Sequence, residues 1–165
     1  MSTIPNTPVQ NRNSLLRSIV SGGVIIGTLH LVIQSFIVFS LLYKVPFISV
    51  VQYVASGALG DAAFAGGLAT ALLGVIFHYL ISFVIAAVFI MSAARISLLR
   101  RNVIVGSLLY GIAAFIVMNF IVLPLSAAPK VDGTLFGLIE LIIEHALIIG
   151  LPLGILVWRN AKADK

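Results

Sequence analysis

The sequence predicts an all-α membrane protein: a four-transmembrane-helix bundle with a short interfacial helix between spans 1 and 2. Three observations predict this fold. Of the 165 residues 61% are hydrophobic, only 9% are charged, and four apolar runs are long enough to cross a bilayer. Soluble domains average about 25% charged residues, whereas about 20 apolar residues span the hydrocarbon core. We therefore interpret residues 1–165 as a single membrane domain.

Polar, basic or proline-containing segments separate the apolar runs. The four predicted spans are Ile19–Tyr43, Gly66–Ala94, Val103–Leu123 and Leu135–Trp158. Pro46 ends the first helix. The segment Phe47–Gly60 that follows has about 14 residues, too few to cross the hydrocarbon core. We expect this segment to form the interfacial helix. Pro152, inside the last span, predicts a kink.

Basic residues are distributed unevenly between the two sides of this topology. With the N-terminus inside, eight of them lie on the inner side: Arg12, Arg17, Arg95, Arg100, Arg101, Arg159, Lys162 and Lys165. Only Lys44 and Lys130 lie on the outer side. Because cytoplasmic loops carry the excess of Lys and Arg, the sequence predicts that both termini are cytoplasmic.

Glycines recur at helical spacing in the first two spans. Gly23 and Gly27 form a GxxxG pair, and Gly67 and Gly74 share a stripe of small and polar residues with His78. Small residues let helix backbones approach closely in lipid. We expect these four glycines to pack helices, and the Gly23–Gly27 face fits pairing within one chain or between chains.

Seven polar side chains stand inside the predicted spans at a similar depth. They are His30, Gln34, His78, Asn119, Glu140, Glu144 and His145. At about 1.5 Å per residue they lie roughly 20–28 Å from the inner basic anchors. That depth is between mid-membrane and the outer interface. Ionisable groups inside a span are costly and mark functional sites, so we expect a common pocket. Glu144 and His145 point about 100° apart on an α-helix, which predicts different neighbours for them.

The residue types in this cluster fit several roles. Histidine, glutamine and protonated glutamate form hydrogen bonds between helices, and the same groups exchange protons or bind cations. His30, His78, Glu144 and His145 are candidate ligands for a divalent metal such as zinc, manganese or iron. His30 and His78 are also candidate axial ligands of a haem. A chain with no bound cofactor is the simplest expectation. The absence of cysteine excludes zinc–thiolate and iron–sulfur sites from this chain.

Three short motifs in the second half of the chain resemble a known group. They are His78-Tyr79-Leu80-Ile81-Ser82-Phe83, Met118-Asn119 before Pro124-Leu125-Ser126, and Glu144-His145 before Trp158-Arg159. Together they resemble uncharacterised four-span bacterial inner-membrane proteins and, more distantly, the YagU-like group. The resemblance covers roughly Gly66–Arg159. It implies a bacterial inner (plasma) membrane, and it carries no established activity.

These observations favour a non-enzymatic protein in the lipid bilayer, because no nucleophile elbow, P-loop or Rossmann fingerprint is visible. We expect a proton- or cation-responsive or -conducting site in the outer half of the bundle. The alternatives are an accessory or assembly subunit of a larger membrane complex, or a haem- or metal-binding redox subunit. The sequence is compatible with a homo-oligomer, and it offers no surface for nucleic acid.

Overall fold

The computed structural model describes residues 12–96, 99, 102–131 and 133–163. Six helices follow one another in these residues: α1 Ser14–Leu42, α2 Phe47–Leu59, α3 Ala62–Ala65, α4 Gly67–Ala93, α5 Val103–Leu125 and α6 Leu135–Asn160. The described ranges contain no strand. Helices α1, α4, α5 and α6 are long and apolar enough to cross a membrane, and α2 is the shorter apolar helix between the first two. The predicted fold class is therefore confirmed.

The long helices alternate in direction and give the bundle two distinct ends. At the end that carries Arg17, Arg95 and Arg159, which we call the basic end, Asn160 donates a hydrogen bond of 2.9 Å to the Ser18 hydroxyl. At the opposite end, which we call the link end, α2 contacts the segment between α5 and α6: Ala127 N–H donates to the Gly57 carbonyl at 2.9 Å. Arg100, Arg101, Lys165 and the polar tail before residue 12 lie outside the described residues.

Three of the four glycines expected at helix contacts do lie there. A Cβ on Gly23 would meet the Phe83 ring, one on Gly27 would meet Tyr79, and one on Gly74 would meet the Val51 backbone. The Gly23–Gly27 pair therefore packs α1 against α4 within one chain. Gly67 differs from the expectation, because nothing lies within 4 Å of a Cβ built there. Its φ of +58° starts α4 in the left-handed region, which favours glycine.

A second glycine contact, which we did not predict, joins α5 to α6. A Cβ on Gly111 would collide with the His145 backbone, and one on Gly150 would collide with the Ser107 backbone. Gly154 faces the Ser107 side chain. Gly150 and Gly154 form a GxxxG pair, so the signal for this contact is present in the sequence.

Three of the membrane-length helices contain π-helical segments, in which the backbone hydrogen bonds run from i to i+5. The segments are His30–Leu42, Met118–Val122 and His145–Gly150. The last two directly precede the turns that hold Pro124 and Pro152. Proline lacks an N–H and its ring clashes with the carbonyl four residues earlier, so a widened turn accommodates it. A π segment thus directly precedes Pro152, where the sequence predicts a kink.

Helices α4 and α5 meet near the middle of the bundle and leave a space between them toward the link end. At their contact, Tyr110 OH donates a 2.7 Å hydrogen bond to the Ile85 carbonyl, and the Tyr110 and Phe89 ring centroids are 4.9 Å apart. Beyond this contact a cavity of about 260 Å³ opens, with α2 on one of its sides. The candidate functional site lies at this cavity.

Replacing Gly74 tests the close approach of α2 to α4. We expect Gly74→Ala to lower the free energy of unfolding by about 1–3 kcal/mol, because the added methyl overpacks the contact with the Val51 backbone. Chemical unfolding in detergent, followed by circular dichroism, measures the change. Gly133→Ala is the matched control, since a Cβ there meets nothing within 4 Å. Equal stability of the two variants would contradict the packing role.

Candidate functional site

Four of the seven predicted polar residues meet in the bundle interior: His30, His78, Glu144 and His145, which we call the His–Glu cluster. The His30 ring centroid lies 5.2 Å from that of His78 and 5.7 Å from that of His145. His30 Nε2 lies 3.8 Å from Glu144 Oε1. Helices α1, α4 and α6 thus each contribute to one group, with His30 at its centre.

Glu144 is the most unusual member of the cluster. Its side chain is only 5% exposed, and neither carboxylate oxygen has a hydrogen-bond partner among the described residues. Oε2 lies 2.5 Å from His145 Nδ1, but this close contact lacks hydrogen-bond geometry. A buried carboxylate without donors is strongly unfavourable unless a positive charge accompanies it. Glu144 is therefore a polar group of the cluster whose partners the described residues leave unsupplied.

Glu144 and His145 share a neighbour, contrary to the expectation from the helical wheel. The Glu144 carboxylate and the His145 ring both contact His30. The prediction of different neighbours was wrong for two reasons. The side chains are long enough to bend toward one point, and the helix changes at His145 to the wider π turn.

Backbone carbonyls fix the orientation of two imidazoles. His78 Nε2 lies 2.9 Å from the Gly27 carbonyl of α1, and His145 Nδ1 lies 2.9 Å from the Leu141 carbonyl one turn earlier. Because a carbonyl only accepts, we assign the proton of each neutral ring to that nitrogen. Each ring then has a lone pair on its other nitrogen. His30 Nδ1 is buried and has no hydrogen-bond partner within the described chain.

Gln34 and Glu140 form a second polar group, one turn closer to the link end. Gln34 Nε2 donates to Glu140 Oε1 at 3.2 Å, and Tyr43 OH donates to Oε2 of the same carboxylate at 3.2 Å. Desolvation and the adjacent carboxylate raise the pKa of the Tyr43 phenol. Glu140 therefore has the donors that Glu144 lacks. The sequence analysis missed Tyr43, which lies at the end of the first apolar run.

Asn119 lies apart from both groups. Its Nδ2 donates 3.1 Å to the Phe115 carbonyl of its own helix, and its side chain lines the cavity between α4 and α5 together with the three histidines. The lining continues past Tyr53, which we also did not predict, to Ser126 and Ala128 at the link end. The cavity thus connects the His–Glu cluster with one end of the bundle.

The arrangement fits a bound cation better than a bis-histidine haem. His30, Glu144 and His145 each place a ligand atom within 4.8 Å of the others. The His30 and His78 rings are direct neighbours, tilted by 37° with centroids 5.2 Å apart, whereas the porphyrin plane would have to lie between two axial rings. The pair therefore does not fit the haem arrangement considered from the sequence.

Neutralising Glu144 tests whether its charge is compensated within the protein. We expect Glu144→Gln to raise the free energy of unfolding by about 1–3 kcal/mol in chelator-treated protein near neutral pH, because it removes the negative charge of a buried carboxylate that has no donors. Glu140→Gln is the control, since Gln34 and Tyr43 already satisfy that carboxylate. Chemical unfolding measures both. A loss of stability in Glu144→Gln would show instead that the carboxylate holds the helices together.

Comparison with protein-family models, with curated proteins and with solved structures finds no match to this chain.

Proposed function

We propose that this four-span integral membrane protein binds a cation at the His–Glu cluster. The observation that carries the proposal is the buried, donor-free carboxylate of Glu144 beside His30 and His145. Such a carboxylate is accommodated in a low-dielectric interior by taking up a proton or a metal ion. Ionisable groups inside a membrane bundle typically lie on ion or proton pathways.

The cavity supplies the route by which the cation reaches the cluster. Its lining runs from His30 and His145 to Ser126 and Ala128 at the link end. The wall is mostly apolar, with Asn119, Ser82 and Tyr53 as polar positions along it. The site is therefore a dead-end or gated pocket that opens toward the link end, and the protein responds to the cation there or conducts it further.

We also propose that the link end faces the outside of a bacterial inner membrane, with both termini in the cytoplasm. Arg17, Arg95 and Arg159 stand at the basic end of the described chain, and Lys44 and Lys130 stand at the link end. The positive-inside rule orients this distribution with the basic end inward. The resemblance to four-span bacterial proteins supports the choice of membrane.

The alternative of an accessory subunit has less specific support. Only 17% of the most apolar window of α5 is buried, and surrounding lipid accounts for that exposure as well as a partner protein does. The Gly23–Gly27 face, which fitted a homo-oligomer, is used within the chain. We therefore prefer the cation site.

A stability screen tests the proposed cation site. Full-length protein is unfolded thermally from about pH 5 to 8 and, separately, with added Mg²⁺, Ca²⁺, Mn²⁺ or Zn²⁺. We expect at least one cation to raise the unfolding midpoint of the wild type, because a ligand at 100 times its Kd stabilises by about 2.7 kcal/mol. The effect disappears in Glu144→Gln and persists in Glu140→Gln. Identical responses of wild type and Glu144→Gln to every cation would contradict the proposal.

Cysteine labelling tests the orientation, because the chain contains no native cysteine that would react. Single cysteines are introduced as Lys44→Cys, Lys130→Cys, Arg17→Cys and Arg159→Cys. In intact cells we expect a membrane-impermeant maleimide to label the first two, and to label the last two only after the membrane is opened. The reverse pattern would invert the topology, and labelling of Arg17→Cys and Lys44→Cys alike in intact cells would contradict a first helix that crosses the membrane.

A further inference from the structure

We infer that His30, Glu144 and His145 form a binding site for a divalent first-row transition-metal ion. The inference rests on the proposed cation site and names its ligand. It goes beyond the charge argument, because a proton alone would satisfy Glu144 but would not explain how the imidazoles are arranged around it.

The spacing of the donor atoms fits one ion. The three ligand atoms lie within 4.8 Å of one another, and His30 Nε2 is 3.8 Å from Glu144 Oε1. Zinc–nitrogen and zinc–oxygen bonds are about 2.0–2.2 Å long, which places ligand atoms roughly 3–3.5 Å apart. The donor atoms therefore have to draw together by up to about 1.8 Å to bind one ion.

One of the two ligand imidazoles, that of His145, has the second hydrogen bond typical of a metal ligand, whereas His30 Nδ1 has no partner in the described chain. A metal-binding histidine almost always donates its second ring N–H to a carbonyl or carboxylate, which fixes the ring and the tautomer. His145 meets the Leu141 carbonyl in this way, and His78 meets the Gly27 carbonyl. The His78 ring lies beside that of His30, with ring centroids 5.2 Å apart. It is a neighbour of the three ligands and not one of them.

The donor chemistry selects the class of metal. Ca²⁺ and Mg²⁺ prefer all-oxygen sites, whereas two imidazoles and one carboxylate suit zinc, manganese or iron. The carboxylate supplies one negative charge, and the chain contains no cysteine that would favour softer metals. A dication at this position also neutralises the charge of Glu144 that no described donor satisfies.

The backbone and the cavity are consistent with an open site. His30 and His145 are each the first residue of a π-helical segment, and such segments occur frequently at functional sites. Three protein ligands leave one tetrahedral position free, as in catalytic rather than structural zinc sites. The cavity that His30 and His145 line borders this position.

Zinc binding to purified full-length protein tests the inference. After chelator treatment and removal of the chelator, Zn²⁺ is titrated by calorimetry, and Co²⁺ is added separately to record its visible absorption. We expect one Zn²⁺ per chain and a Co²⁺ spectrum typical of nitrogen and oxygen ligands. Loss of the ligand carboxylate in Glu144→Gln should weaken Zn²⁺ binding more than about 100-fold, since loss of a group that only hydrogen-bonds to a metal ligand already costs 10- to 100-fold.

Control variants separate the possible outcomes. Glu140→Gln changes a carboxylate one turn away on the same helix and should bind Zn²⁺ within about twofold of the wild type. His30→Gln is the second test variant if Glu144→Gln does not fold. Equal Zn²⁺ affinity of wild type and both cluster variants would overturn the inference. If Zn²⁺ does not bind but a Glu144-dependent response to protons remains, the metal inference fails and the cation site stands. If no cation acts through Glu144, both fail.

Discussion

A carboxylate buried among apolar helices imposes the strongest constraint on this structure. The Glu144 side chain is only 5% exposed to solvent, and no described residue donates a hydrogen bond to it. The energetic cost of such a group is tolerated only where the rest of the fold is stable enough to hold it. Phe89, Phe115, Ile26 and Leu153 are almost completely buried, and the Phe115 ring contacts the His145 ring, with centroids 5.4 Å apart. Their packing keeps α1, α4 and α6 close enough to confine the carboxylate beside His30.

Small residues do more here than bring helices together, because they also place the imidazoles. Gly27 lets Tyr79 and Ser82 approach α1 closely, and its carbonyl then meets His78 Nε2. Gly111 has no side chain where the backbone of His145 passes. A larger residue at either position would move a histidine away from His30. Helix packing and the geometry of the cluster are therefore linked through the same backbone positions.

The sequence was sufficient for the fold class, because four apolar runs and one short one have few alternatives in lipid. The sequence-based prediction was wrong where a span departs from α-helical geometry. On a regular α-helix Ile37 and Leu41 would share a face with Gln34, but both are exposed because the π segment that starts at His30 changes the phase of the turn. Gly67 fits the small-residue spacing but lies in a turn at the start of α4. Spacing alone does not distinguish a glycine that packs helices from a glycine that forms a turn.

The two glutamates of α6 show most clearly what only the structure adds. Glu140 and Glu144 are one turn apart and look equivalent in the sequence, so either one is a candidate ligand. Gln34 and Tyr43 donate to Glu140, whereas the neighbours of Glu144 are imidazoles that do not donate to it. A satisfied carboxylate gains little from a cation, and an unsatisfied one gains a great deal. The difference comes from donors that lie about a hundred residues earlier in the chain, and no local pattern in α6 contains that information.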